Sequence, residues 1–180
     1  SLMVLLVLAI SAVLIARSSD SAVSTTGMLS FKKTSLDVGD SGIDAATKWL
    51  ITNHSSGHLD LTDTGQGYFS SIPSGEPDWT DPANWQTSKQ LPVDNLGNTV
   101  SYIIHRMCTQ PDTPYNGTRN GVANICASAK PAAGSALGNS MGFNSIQFEG
   151  TPRIMYRITV KIDGPKNSTS LVQTMVAISV

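Results

Sequence analysis

The side chains that could do chemistry are few and widely spaced. Gly39-Asp40-Ser41-Gly42 has the outline of a nucleophilic serine between glycines. A serine nucleophile needs a histidine base and a carboxylate to orient it, and no histidine precedes residue 54. In the order Ser, Asp, His the only bases are His54, His58 and His105, none of them near the C-terminus, so the constellation of a hydrolase is missing. His54 and His58 stand four apart, a metal-binding spacing on a helix. Ser55, Ser56 and Gly57 between them predict a loop instead, and no Glu occupies the position that a helical zinc motif requires. Asp60, Asp63, Asp78, Asp81 and Asp94 follow no twelve-residue calcium-loop pattern. No glycine-rich phosphate loop, zinc-type cysteine pair or dinucleotide fingerprint occurs. The expectation is a protein without enzymatic activity or cofactor.

Cys108 and Cys126 are the only cysteines. In a chain that leaves the cytoplasm an even pair favours a disulfide over a metal site or redox motif, and closing that loop should stabilise the fold by about 3 kcal/mol. The alternative is two buried free thiols.

The elements that position these residues begin with an apolar block. From Leu2 to Ala16 the one polar residue is Ser11, and Arg17 is the first charge. Leu2, Val4, Leu5, Leu6, Leu8, Ala9, Ala12, Val13, Ile15 and Ala16 form its surface, predicted to serve as a membrane helix. As a helix the block covers roughly 22 Å, a marginal span of a hydrocarbon core of roughly 30 Å. With no basic segment before it and no initiator Met, it is expected to be the start of a processed chain. A signal segment is the other reading, since Ala9, Ala12 and Ala16 can mimic a cleavage motif. The net charge of -1 with 14% charged residues supplies no basic field, so no nucleic-acid partner is expected.

Beyond a Ser/Thr-rich stretch, Leu29, Leu36, Ile43 and Leu50 recur every seven residues with Ala46 filling in, which predicts a continuing amphipathic helix ending near Asn53. Gly27, Gly39 and Gly42 are expected to bend or melt it locally. Residues 54–98 read as an irregular connector rich in Gly, Ser, Asp and Pro. Within it Asp81 is placed to cap a short helix opening at Pro82, and Trp79 and Trp85 either pin the connector to the rest or form a ligand platform. Thr99–Cys108, Arg153–Ile162 and Leu171–Val180 carry strand signals, and Phe143–Phe148 is a candidate fourth strand. Arg153–Ile162 alternates Ile154, Tyr156, Ile158, Val160 and Ile162 against Arg153, Met155, Arg157, Thr159 and Lys161, as a half-buried strand would. Asp163 to Asn167 supply turn chemistry for an antiparallel hairpin, and Ala127–Gly142 reads as a loop. Three glycosylation-type triplets, at Asn53, Asn116 and Asn167, indicate surface loops at most.

The predicted architecture is α+β. A long N-terminal helix, apolar over 1–26 and amphipathic over 27–53, lies by its second half on an antiparallel sheet of three to four strands. The head spans 54–180, irregular to 98 and β-rich from 99.

This order of parts resembles the type IV pilin family. Three stretches are similar to PilX-type minor pilins: SLMVLLVLA from Ser1, LDVGDSGIDAATKWL from Leu36, and YRITVKIDGP from Tyr156 with SLVQTMV from Ser170. The chain departs from major pilins, which begin with Phe and carry a Glu four residues on, in having Ser1 and Leu5. The resemblance implies a filament subunit anchored in the bacterial inner membrane before assembly. It would then reside in an extracellular pilus with other pilin subunits as partners, and an adhesive target would be a further one. It also implies a disulfide-stapled C-terminal loop. A membrane-tethered periplasmic binding or adhesion module, with Trp79 and Trp85 as ligand surface, is the competing expectation.

Overall fold

The computed structural model describes Met3, Val4, Ser11, Arg17 and residues 35–55, 57–129, 152–165 and 168–179. By internal contacts the chain divides into two units, Ser1–Asp37 and Val38–Val180. In the first, Met3, Val4, Ser11 and Arg17 are helical and exposed, and residues 35–37 open helix α1, which runs over 35–53. Among the described residues no helix is long and apolar enough to cross a membrane.

The second unit holds strands β1 (Tyr68–Phe69), β2 (Lys89–Gln90), β3 (Thr99–Arg106), β4 (Thr118–Arg119), β5 (Val122–Ala123), β6 (Ser128–Ala129), β7 (Arg153–Gly164) and β8 (Ser168–Ser179). β7 is the spine of the main sheet. It pairs antiparallel with β3, Val100 opposite Ile162 and Arg106 opposite Tyr156, and with β8 over twelve positions from Arg153–Ser179 to Gly164–Ser168. β6 meets β7 past the end of β3, at Ile154. The outer edge of β3 carries β1 in parallel and β2 antiparallel. β4 and β5 form a separate ribbon whose two-residue turn is Asn120-Gly121, both at positive φ, the backbone that this dipeptide tolerates best.

Strand alternation builds the core. Ile154, Tyr156, Ile158, Val160 and Ile162 of β7 are at most 1% exposed, and Val100, Tyr102 and Ile104 of β3 line up beside them. From β8, Val172, Val176 and Ile178 pack against the same cluster. α1 closes this face with Ala46 and Leu50, both fully buried. Its approach depends on Gly42, where a Cβ would stand 2.7 Å from Val160 Cγ1 and 2.8 Å from Val100 Cγ1. The expected bends are therefore corrected: α1 stays helical through Gly39 and Gly42, because these glycines mark where helix and sheet come closest.

The predicted fold class is also corrected. Among the described residues the one continuous helix is 35–53, and the sheet is mixed and six-stranded with a small second sheet beside it, so sheet dominates. The extra strands come from the connector and the cysteine loop. β1, β2 and β6 have two residues each, too few for alternation to show in sequence, and they exist because β3 and β7 offer edges to pair with. Gly67, at φ 68°, lets this happen: a Cβ there would meet Tyr102 O at 2.7 Å and Lys89 N at 2.8 Å. Leu29 and the candidate strand Phe143–Phe148 lie outside the described residues.

Candidate functional site

The motifs singled out for chemistry are dispersed. Ser41 lies in α1 and its hydroxyl donates to the Val38 carbonyl at 2.6 Å, a helix-surface bond rather than a poised nucleophile. His54 donates from Nδ1 to Ile51 O at the end of α1, and His58 opens a 3₁₀ turn over His58–Asp60; both are exposed. Among the described residues no three histidine, cysteine or carboxylate side chains group as metal ligands. Of the predicted stripe, Leu36 is 54% exposed, Ile43 half-buried, and Ala46 and Leu50 buried. In the apolar block Met3 and Val4 are 82% and 62% exposed. Leu2, Leu5, Leu6, Leu8, Ala9, Ala12, Val13, Ile15 and Ala16 lie outside the described residues.

Cys108 and Cys126 form a disulfide across an isolated antiparallel bridge. Its neighbour Arg106, 2% exposed, knots the loop to the connector. Nε donates to Ser70 O at 2.9 Å, Nη1 pairs with Asp60 at 2.8 Å, and Nη2 donates to Thr113 O. Asn124 adds bonds to Thr113 O and Pro114 O and accepts from Gln110 N. A guanidinium so deeply buried is tolerable because each of its three nitrogens has a partner.

The second face of the sheet concentrates polar and aromatic groups. Alternation turns Ile103 and His105 of β3 and Arg157, Thr159 and Lys161 of β7 away from α1, and the connector folds over them. Asp81 accepts from Ala83 N at 2.9 Å and caps a 3₁₀ turn over Pro82–Trp85, the short capped helix that the Asp-Pro pair predicts. That turn presents Trp85 to Trp79, ring centroids 5.5 Å apart and planes at 59°. The Trp79 indole donates to Glu76 at 2.7 Å, and the other oxygen of Glu76 takes Arg157 Nη1 at 2.6 Å. Arg157 lies 5.9 Å from the centre of the Trp79 ring, and Lys161 Nζ lies 5.2 Å over Trp85, both cation–π distances. His105 is sandwiched, stacked on Phe69 at 5.0 Å and edge-on to Trp79 at 6.1 Å.

Electrostatics follow from this packing. Burial, then the charge of Arg157, pushes the His105 imidazole down to about 4. Hydrogen bonds from Trp79, then Arg157, hold the Glu76 carboxyl below the usual range. Four buried polar atoms here, His105 Nδ1, Arg157 Nε and Nη2, and Thr159 Oγ1, have no hydrogen-bond partner. Such groups are uncommon in native interiors and costly, which separates this face from an ordinary solvated one. Beside it an open cleft of about 400 Å³ runs between the tryptophan pair and the β7–β8 hairpin, where Lys161, Asp163, Thr169 and Leu171 meet Trp79 and Trp85.

Sequence reasoning marked both tryptophans but placed Arg157 and Lys161 on the solvent side of a half-buried strand. The usable signal was Arg153, Arg157 and Lys161 recurring every fourth residue on one strand face, downstream of a Glu-x-x-Trp in the connector. Cations in that rhythm are natural partners for aromatic faces. Searches against family models, curated proteins and solved structures find no match to this chain.

Proposed function

We propose that this chain is a structural subunit of an extracellular filament of the type IV pilin kind, held in the bacterial inner membrane before assembly, with other pilin subunits as partners. The observation that carries the reading is the uncharged apolar block Leu2–Ala16, joined in one chain to a disulfide-stapled head. Met3 and Val4 are helical and exposed, an apolar surface that water disfavours and that lipid or neighbouring helices would cover. Lipid and a helix bundle are nearly equally apolar, so transfer between them costs little and close packing decides; Ala9, Ser11, Ala12 and Ala16 are small enough for close approach. The disulfide fits an oxidising compartment. The role is structural, with no catalysis or cofactor.

Leu8→Arg places a charge in that block and should abolish incorporation into sheared surface fibres, read by mass spectrometry of the purified fibres. A native protein absent from fibres yet abundant and folded in membranes would overturn the proposal. One observation, the cleft beside Trp79 and Trp85, favours a second reading, a membrane-tethered periplasmic binding module in which the same block is only an anchor.

A further inference from the structure

We propose that the cleft between the Trp79–Trp85 pair and the β7–β8 hairpin binds a neutral saccharide of one or two rings. This deepens the binding reading of the cleft and holds whether or not the chain polymerises. Its volume, about 400 Å³, falls in the range of small-molecule sites, and its open form suits a ligand that keeps one side in water.

The chemistry of the walls narrows the class. Both indole N–H groups are already committed, Trp79 to Glu76 at 2.7 Å and Trp85 to Trp79 O at 2.9 Å, and Trp85 is 6% exposed with Lys161 Nζ over its ring, so the half-buried Trp79 is the ring that offers a ligand a face, and it offers no donor. The negative face of an aromatic ring attracts weakly positive C–H groups, and the axial side of a sugar ring is a sheet of such groups. Against Trp85, whose ring it covers, Lys161 Nζ lies 3.0 Å from one oxygen of Asp163, and Thr169 donates to the other at 2.9 Å. Asp163 keeps 42% of its side chain exposed, leaving lone pairs free to accept ligand hydroxyls, and Lys161 supplies donors beside it.

These two charges cancel. An anionic ligand would gain from Lys161 and lose to Asp163, and a cationic one the reverse, whereas hydroxyls, which donate and accept, use both. Exposed Leu171 adds an apolar rim. Because the rings and the carboxylate are fixed by internal bonds, little ordering remains for binding to impose.

The test is titration of the ¹⁵N-labelled full chain, held in a detergent without a sugar headgroup, with cellobiose, lactose and N,N′-diacetylchitobiose, with glucuronate and glucosamine as charged counter-probes. At least one neutral disaccharide should shift the Trp79 indole N–H signal saturably, with a dissociation constant of roughly 1 mM or tighter, and leave Trp49 unmoved. Asp163→Asn, a change at a part-exposed side chain, should weaken that binding at least tenfold while the other amide signals stay in place, and Trp79→Ala should abolish it. Should Trp79→Ala disturb the fold, Asp163→Asn decides alone. Absence of any shift at tens of millimolar disaccharide, tighter binding of a charged probe, or unchanged affinity in Asp163→Asn would each overturn the assignment. Fibre incorporation is read separately, so failure here leaves the filament proposal standing and its failure leaves this one standing.

Discussion

At the residue scale, His105 is the group whose environment has the clearest consequence. It is 5% exposed and its Nδ1 has no partner, with Phe69 on one ring face, Trp79 at its edge and the Arg157 and Glu76 charges nearby. Its folded pKa of about 4 lies below the ordinary 6.5, so between these values the unfolded chain binds a proton that the folded chain refuses. Stability from this residue is therefore complete above about pH 6.5 and is lost as pH falls toward 4, by up to about 3 kcal/mol at 1.36 kcal/mol per unit. Glu76 acts in the same direction lower down: its carboxyl is held below the usual range, so its contribution disappears as pH falls through that lowered value. Denaturant melts from pH 7 to pH 4 should show the decline, and His105→Phe, which keeps a ring against Phe69, should flatten the upper part of it. An unchanged slope in the variant would contradict the assignment.

At the element scale, α1 is held by shape rather than by the strength of its apolar stripe. Leu36 is exposed while Ala46 and Gly42 sit at the contact, so small residues set the distance between helix and sheet. Gly42→Ala would improve intrinsic helix propensity by up to about 1 kcal/mol, yet it drives a methyl into Val160 and Val100. Overpacking should win by a net loss of about 1–3 kcal/mol, measured by chemical denaturation. Gly39→Ala meets Ile162 and Val172 side chains at 3.3 Å and should cost less, which makes the pair an internal control. The connector behaves in the complementary way. It has little regular structure, but Arg106, Asp60 and Ser70 on one side of it and Glu76, Trp79 and Trp85 on the other tie it to the sheet.

At the scale of the whole molecule, the second unit is a covalently closed head. The disulfide and Arg106 join the cysteine loop to β3, and just past Cys126 the chain adds β6 to the main sheet. Cys108→Ser with Cys126→Ser should lower the unfolding free energy by about 3 kcal/mol, seen as a drop in denaturation midpoint that reducing agent reproduces in the parent chain. Equal midpoints with and without reductant would show that the hydrogen-bonded knot alone suffices. A head stabilised in this way suits a filament subunit exposed outside the cell, where the proposed assembly places it.

The predicted architecture was not the one found, but single elements were legible in advance where their signals are local and long. β7 and β8 have twelve residues each, and alternation over that length reports which side faces the core; α1 shows its period, and the two cysteines could only join each other if they joined at all. The Asp81-Pro82 start of the turn carrying Trp85 is likewise written in neighbouring residues. What the chain order does not contain is the company those elements keep. Arg157 and Lys161 alternate as solvent-facing positions do, and they become buried or half-buried only because the connector returns across eighty residues to lay Glu76 and Trp79 over them. The glycines of α1 look like weaknesses in the helix alone and prove to be its contact points once Val160 and Val100 stand opposite. The two-residue strands have no pattern of their own. Pairing partners, burial of the far face and the cleft are set by long-range packing, which no local periodicity encodes.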